Sequence, residues 1–286
     1  EVAHAPYIAA YAEPWTGHAA VGLSLSDSSY ALNTVVPLPA TSGVTRTELG
    51  AAAPGRWARG PGVDVLLDGG ALESREPGDV LNGANVAALR FGSTGDWEVI
   101  QFRSAELIAP DTYRLTDLLR GQAGTEGVIP ESWPAGTRFV LLDAALAQAD
   151  LPLSARGLER YYRIGPATKP FEDESYRTYL RAFDGVGLRP YAPAHLRHRW
   201  TGAGDLALSW VRRTRIDGDH WGAGDVPLAE DAELYLVRIG DAEREVSASM
   251  LEVSAGDLPS LPFTVAVAQV SARWGAGPFT ERTIHG

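Results

Sequence analysis

Short apolar runs with a period of two, separated by turn residues, constrain the fold of this chain more than any other feature of its sequence. Several such runs occupy residues 5–110, where Gly and Pro interrupt them at intervals; the 286 residues include 31 Gly and 19 Pro. A period of two places every second side chain on the same face of a strand. Helical periodicity is scarce in this region, so the sequence predicts an all-β domain, either a sandwich or a small barrel.

Turn residues separate the predicted strands. Asp27 to Ser29 provide a turn between the first two strands, and Asn82 with Gly83 is a second strong turn signal. Short helical turns are expected at residues 143–148 and 153–159. The runs that predict strands are residues 19–25, 30–36, 63–67, 97–102, 137–142 and 161–164.

Composition excludes several classes of protein. An apolar content of 45% and a charged content of 21% are typical of a globular chain. The net charge of -11 argues against a nucleic-acid-binding role, which needs a basic surface. The chain has no cysteine for disulfides or thiolate metal sites, and no apolar run as long as a membrane helix. It starts without an initiator Met or a secretion signal, so we expect a fragment of a longer polypeptide.

The segment of residues 113–126, called the signature segment below, has the clearest local pattern. Its first residues alternate in polarity and predict a strand. Thr116 suits a helix N-cap and Gly121 can end a helix, so a single helical turn is expected after the strand. The residues to which we assign structural roles are Tyr113, Leu115, Leu118, Leu119, Arg120, Gly121 and Gly124.

This segment, Y-x-L-x-x-L-L-R-G-x-x-G-T-E, resembles a signature in the C-terminal part of the large host-specificity ("megatron") proteins of siphophage and gene transfer agent tail tips. The resemblance implies a β-rich tail-tip body at residues 1–188, with an internal boundary considered near 110, and a separate domain at 189–286. Further segments similar to that family follow in the same order at residues 14–17, 83–85, 98–102, 187–190, 209–215, 226–228 and 233–235.

The same resemblance implies a function. The chain is expected to be a non-enzymatic structural and binding segment of a tail tip or baseplate, contributing to tip assembly and to attachment at the recipient cell surface. Its partners would be other tail-tip subunits and a cell-surface polysaccharide, with a homotrimer in the assembled particle. Its location would be the distal tail tip of a virion-like particle, assembled in the bacterial cytoplasm and acting outside the cell.

Residues 189–286 resemble a fibronectin type III module. The proline-containing stretch 189–193 is a stiff linker of the kind that introduces an independent domain. Trp210 stands in the place of the core tryptophan of strand B, and Tyr235 in the usual position of strand C. Phe263 stands where such modules often have a tyrosine, so the corner that its hydroxyl would hold is expected to be less firmly fixed. The fold class is therefore mainly β: an antiparallel sandwich or barrel body followed by a fibronectin type III-like sandwich.

Tryptophans and arginines are the candidate ligand contacts. Trp15, Trp57 and Trp133 lie beside Pro or Gly in predicted loops, where an indole can stack on a sugar ring or, as we favour, plug the end of a sandwich. Trp221 lies in a loop and could join such a platform or fold back onto the sheet. This observation supports an alternative function, a carbohydrate-binding module appended to a cell-surface polysaccharide hydrolase. The arginines Arg212, Arg213 and Arg215 could bind an anionic polysaccharide or, as we favour, pair with Glu230, Asp231 and Glu233.

No recognizable pattern of catalytic or metal-binding residues emerges. Two carboxylates at the right separation could hydrolyse a glycosidic bond, but solvated surface is favoured for Asp64, Asp68, Glu73, Glu76 and Asp79. A polar turn is favoured over a Ca²⁺ site for Asp217, Asp219 and Asp225. His195 and His198 alone are not a zinc site. The sequence lacks serine-hydrolase, Walker and dinucleotide-binding motifs, so no catalytic residue, metal or cofactor is predicted.

Overall fold

The computed structural model describes residues 2–93, 95–202, 204–218 and 225–285. The chain divides into two compact units, Glu1–Val186 and Gly187–Gly286, close to the boundary expected at residue 188. Strands dominate both units, so the predicted mainly-β fold class is confirmed. No helix in the described part of the chain is both long and apolar enough to cross a membrane.

Unit 1 is built from fifteen strands, one short α-helix and the 3₁₀ turns Glu126–Val128 and Leu153–Ala155 in its described residues. The helix α1, Pro77–Leu81, is not predicted by the sequence pattern. The strands are β1 Tyr7–Ile8, β2 Ala19–Ser24, β3 Ala31–Val36, β4 Ser42–Thr45, β5 Leu49–Gly50, β6 Trp57–Ala58, β7 Val63–Gly69, β8 Val86–Arg90, β9 Glu98–Ala109, β10 Thr112–Gln122, β11 Ser132–Trp133, β12 Arg138–Leu141, β13 Ala147–Gln148, β14 Arg160–Pro166 and β15 Arg177–Arg181.

Six of these strands form a closed antiparallel barrel. They pair in the order β10, β7, β4, β12, β8 and β9, and the long hairpin β9–β10 closes the circle. Closure satisfies the strand edges that an open sheet would expose. Apolar side chains fill the core, and the largest fully buried ones are Leu89, Ile100, Phe102, Leu115, Leu118 and Phe139.

The helical turn predicted within the signature segment is wrong. Residues 112–122 form one continuous strand, in which Thr116 pairs with Ser104 and Leu118 pairs with Phe102. Neighbouring strands supply the backbone hydrogen bonds that a helical turn would otherwise provide, and Asp117 accommodates the local bend with a φ of 52°. The position near residue 110 is the turn of the same hairpin, so the chain does not divide there.

A second sheet of unit 1 has the order β15, β14, β2 and β3. The predicted pairing of residues 19–25 with 30–36 is confirmed as the antiparallel pair β2–β3. Asp27 and Ser29 in their connecting turn both have positive φ angles. Of the two expected helical turns, that at 153–159 is confirmed as a 3₁₀ turn, Leu153–Ala155. The other is limited to a hydrogen-bonded turn at 143–146, where the Leu146 amide donates to the Asp143 carbonyl at 3.2 Å, and residues 147–148 pair with β1 as a short strand.

Unit 2 is an antiparallel two-sheet sandwich, as the alternating rows of its sequence predicted. One sheet has the order β16, β17 and β20; the other has β19, β18 and β21, with β22 and β23 also pairing with β21. Trp210 and Tyr235 come from opposite sheets and pack edge to face, with their ring centroids 5.2 Å apart. The strands are β16 Ala194–Trp200, β17 Leu206–Val211, β18 Tyr235–Ile239, β19 Ala242–Val246, β20 Met250–Val253, β21 Phe263–Ser271, β22 Gly275–Ala276 and β23 Thr280–Ile284.

Candidate functional site

The charged side chain near the end of the signature strand is not exposed for binding but is buried inside the barrel. Arg120, on β10, forms a two-pronged ion pair with Glu98, the first residue of β9. The Nε–Oε1 distance is 2.6 Å and the Nη2–Oε2 distance is 2.8 Å, and both residues are fully buried. Such a pair is stable only when its remaining hydrogen-bonding groups are also satisfied.

Further hydrogen bonds satisfy this pair. The Trp133 indole Nε1 donates to Glu98 Oε2 at 2.5 Å, and the Gly121 amide donates to Glu98 Oε1 at 3.1 Å. Arg120 Nη1 donates to the Gly50 carbonyl at 2.7 Å. Trp133 therefore plugs the barrel, as the sequence favoured, and we call Glu98, Arg120 and Trp133 the buried network. Its groups hold the structure together and are not available to a ligand.

An open polar groove lies on the outside of the barrel. It consists of two adjoining depressions, of about 250 and 100 Å³, which share Arg103 and Asp117. The other lining residues of the larger depression are Ser74, Arg75, Glu76, Ser104 and Thr116, and those of the smaller are Trp57, Arg59 and Pro77. We call this the Trp57 groove.

Two elements position the walls of the Trp57 groove. Arg103 on β9 and Asp117 on β10 form an ion pair with a distance of 3.2 Å between Nη1 and Oδ2. The segment before α1 bonds to the edge of β9, where the Arg75 amide donates to the Arg103 carbonyl at 2.8 Å and the Ala105 amide donates to Ser74 Oγ at 3.0 Å. Long-range pairing thus brings a polar turn beside the signature strand.

The lining of the Trp57 groove suits hydroxyl-rich ligands. A half-buried indole offers a flat apolar surface, while a guanidinium and a carboxylate held together can donate to and accept from neighbouring hydroxyls. Glu76 and Asp117 share the larger depression, as a pair of glycosidase carboxylates would. However, Glu76 is exposed and Asp117 is paired with Arg103, so neither lies in the apolar enclosure that a catalytic acid requires. The geometry favours binding.

The other candidate tryptophans do not extend this surface. Trp15 is half-buried and packs against a separate cluster that includes Val21, Val36 and Tyr162, so it shares no platform with Trp57. Trp221 lies outside the described residues, as does Asp219 of the loop considered for Ca²⁺.

The three candidate arginines of unit 2 make contacts within the chain. Arg212 pairs with Asp225 at 3.0 Å, and Arg215 pairs with Glu230 at 3.3 Å. Arg213 lies over the Tyr191 ring, 5.1 Å from its centroid. The favoured pairing is therefore confirmed for Arg215 and Glu230, while Arg212 takes a different carboxylate.

Glu233, one of the expected arginine partners, instead accepts a hydrogen bond from the Tyr235 hydroxyl at 2.8 Å. Burial of the phenol, together with this hydrogen bond and the charge of Glu233, raises the pKa of Tyr235 above its usual value. The other predicted partner, Asp231, is exposed.

The carboxylates of the first unit lie in separate contacts. Asp64 accepts two hydrogen bonds from Arg114, at 2.8 and 2.9 Å, Asp68 accepts one from Ser42, and Glu73 pairs with Arg75. His195 and His198 both lie on β16. In the described ranges, no three histidine or carboxylate side chains come together as a metal site would require.

Sequence reasoning misses the residues that the Trp57 groove brings together. Arg103 and Asp117 are not candidates from the sequence, because the local pattern places Asp117 in a helical turn. Their facing positions on paired strands become visible only from the register of the β9–β10 hairpin. The signal that could have found them is the hairpin itself, predicted as two continuous strands.

Comparisons with known proteins match this region in part. A family model described as Rcc01698-like, C-terminal, matches residues 40–140, which span all six barrel strands except the end of β12. The 3-isopropylmalate dehydratase small subunit of Kineococcus radiotolerans is 26% identical over 183 residues, which cover 62% of this chain and 85% of that protein. That name describes the bacterial protein, and similarity at this level does not carry its activity to this chain.

Proposed function

We propose that this chain is a non-enzymatic structural and binding segment of a phage-like or gene transfer agent tail tip. The observation that carries the proposal is the position of the signature segment: the residues that resemble tail-tip host-specificity proteins form the strand that closes the barrel. The family match over residues 40–140 covers the same barrel and supports the assignment of this region as one body.

The barrel suits a scaffolding role. Its strand edges are paired in a circle, and the polar groups of its buried network are already bonded to one another. A body of this kind presents rigid outer faces to neighbouring subunits and does not need to rearrange on assembly. In the proposed setting, the chain contacts other tail-tip subunits, forms a trimer within the particle, and reaches the recipient cell surface.

Electron cryomicroscopy of assembled particles tests the location. Particles carrying an epitope tag after residue 286 are decorated with the matching antibody fragment and imaged. We expect extra density at the distal end of the tail, with three copies around its axis. Density elsewhere on the particle would contradict the assignment, and untagged particles treated in the same way are the control.

A second role, recognition of a cell-surface polysaccharide, is favoured by the Trp57 groove. Its indole, the Arg103–Asp117 pair and the hydroxyls of Ser104 and Thr116 form a surface that can stack on a sugar ring and bond to its hydroxyl groups. This recognition would serve a tail tip or, in the alternative function, a binding module appended to a polysaccharide hydrolase.

A glycan array probed with the full chain tests this role. We expect selective retention of a bacterial surface polysaccharide, and the Trp57→Ala variant should lose at least about tenfold in affinity because the stacking surface is removed. Trp200→Ala is the matched control, since Trp200 is 38% exposed on β16 and lies outside the groove. Equal loss in both variants, or no retention by the unmodified chain, would contradict recognition through the groove and leave the location test unaffected.

A further inference from the structure

Two arginines face each other on the outside of the barrel. Arg90 ends β8, and Arg138 begins β12; they are direct partners across the antiparallel pair. Their neighbours Leu89 and Phe139 point into the core and are fully buried, so the two arginines project outward on the same face. Like charges directly opposite one another destabilise a sheet. Repulsion between Arg90 and Arg138 therefore lowers the stability of the barrel, and neither charge is needed for its packing.

The surroundings of Arg90 hold its guanidinium in place. It stacks over the Trp97 ring, with Cζ 4.4 Å from the ring centroid. Its Nε is buried from solvent and has no hydrogen-bond partner. Orphaned buried donors are uncommon in folded proteins, because leaving one without an acceptor carries the full cost of removing it from water. The ring thus orients a donor that lacks an acceptor in the protein.

The surroundings of Arg90 also disfavour its positive charge. Burial lowers the pKa of Arg90, and the charges of Arg138 and Arg181 lower it further. Elsewhere in unit 1, Arg103, Arg114 and Arg120 each pair with a carboxylate. Among the described residues, no ion pair joins Arg90 or Arg138 to an acidic side chain.

We propose that Arg90 and Arg138 form a binding site for an oxyanion, a carboxylate or phosphate group carried by an external ligand. An oxyanion between the cross-strand guanidinium groups would offset their repulsion and could accept hydrogen bonds from their terminal Nη atoms, which arginine favours for such groups. We call this the arginine site. In a chain of net charge -11, such a local positive cluster selects an acidic group over a neutral one.

The arginine site does not rest on the proposed function. Its lining shares no residue with the Trp57 groove, so failure of the glycan array with neutral sugars would leave it standing. If the proposed function holds, the source of the oxyanion would be an acidic sugar of the recipient surface; otherwise it would be a small free anion.

Titration calorimetry with the full chain at low salt tests the site, using polygalacturonate and inorganic phosphate as separate probes. We expect binding of at least one probe, and at least about a tenfold weaker affinity for Arg138→Gln. Arg90→Lys should also weaken binding, because lysine keeps the charge but loses the guanidinium fork. Arg199→Gln, an exposed strand arginine of unit 2, is the matched control and should bind as the unmodified chain does.

A thermal melt separates binding from folding. Without ligand, Arg138→Gln should melt at the same or a higher temperature than the unmodified chain, because the like-charge contact is removed. With phosphate or polygalacturonate, only the chain with an intact arginine site should gain stability.

Polygalacturonate binding alone would identify an acidic-polymer site, and binding of phosphate as well would identify a general oxyanion site; both support the proposal. Binding of neither probe, or equal loss in Arg138→Gln and Arg199→Gln, would overturn it.

Discussion

The cores of the two units are stabilised by different kinds of contact. The barrel buries a charged pair, Arg120 and Glu98, and completes it with hydrogen bonds from Trp133 and Gly121. The sandwich instead packs Trp210 against Tyr235, and its nearby polar contact, from the Tyr235 hydroxyl to Glu233, is only partly buried. A buried network fails when one member is removed, whereas an apolar contact loses stability in proportion to the atoms deleted. The barrel should therefore be more sensitive to single polar changes.

Replacing Arg120 by Met should produce the largest effect. It leaves the Glu98 carboxylate buried without its cation, and breaking such a pair costs about 3–5 kcal/mol. Hydrogen exchange of the peptide covering residues 112–122, with urea unfolding of the full chain, measures the loss. The matched control is Arg114→Met on the same strand, whose solvent-exposed pair with Asp64 should contribute far less because water screens it. Similar losses in the two variants would contradict a special role for the buried network.

The double variant Glu98→Gln with Arg120→Met sharpens this comparison. A neutral amide at position 98 needs no cation, and its oxygen can still accept from the Trp133 indole. We expect the free energy of unfolding of the double variant to exceed that of Arg120→Met alone by more than about 1 kcal/mol. Urea unfolding of the two variants side by side measures the recovery, and its absence would show that packing and not charge dominates the loss.

Gly121→Ala should give the next largest effect. Gly121 has a φ of 59°, and an added Cβ would lie 2.7 Å from the Glu126 Cα, so backbone strain and a clash with the main chain combine. We expect a loss of about 2–3 kcal/mol in urea unfolding. Gly136 of the same unit has a φ of 87°, but an added Cβ there would meet no neighbouring atom. Gly136→Ala therefore introduces backbone strain without a clash, and its free energy of unfolding should fall by about 1 kcal/mol. Equal losses would show that the close approach to Glu126 is unimportant.

Tyr235→Phe should have the smallest effect, about 1 kcal/mol at neutral pH, because it removes one hydrogen bond and keeps the ring contact with Trp210. Its pH dependence is distinctive. Burial and Glu233 raise the pKa of Tyr235 above the usual 10.0, so the protonated phenol makes its full contribution to stability below pH 10. That contribution is lost as the pH rises above 10, where the phenol ionises more readily in the unfolded state than in the folded state.

Urea unfolding of the unmodified chain and of Tyr235→Phe, in parallel between pH 8 and pH 11, measures this dependence. The stability advantage of the unmodified chain should be constant up to about pH 10 and should shrink above it. An advantage that stays the same across the whole range would contradict a raised pKa for the Tyr235 phenol.

The period-two pattern was enough to predict several of the longer strands, but it did not reveal which polar residues meet. The strand pair β2–β3 and the rows around Trp210 and Tyr235 follow from local alternation and turn residues. The groove residues Arg103 and Asp117 are fourteen positions apart in sequence, and Arg90 and Arg138 are further apart still. Nothing in their local sequence indicates that each pair shares a face, because register is set by pairing between strands.

By itself, the sequence determined that this chain would fold as mainly β and that its last hundred residues would form a sandwich, since side-chain alternation and turn preferences are local properties. Only the tertiary structure decided that residues 112–122 run as one strand. At the expected helical turn, pairing with β9 on one side and β6 on the other replaces the hydrogen bonds of the helix that Thr116 and Gly121 suggested. Closing the barrel then places Arg120 beside Glu98 in the interior and Arg90 beside Arg138 on the outside, because barrel closure fixes which residues face one another.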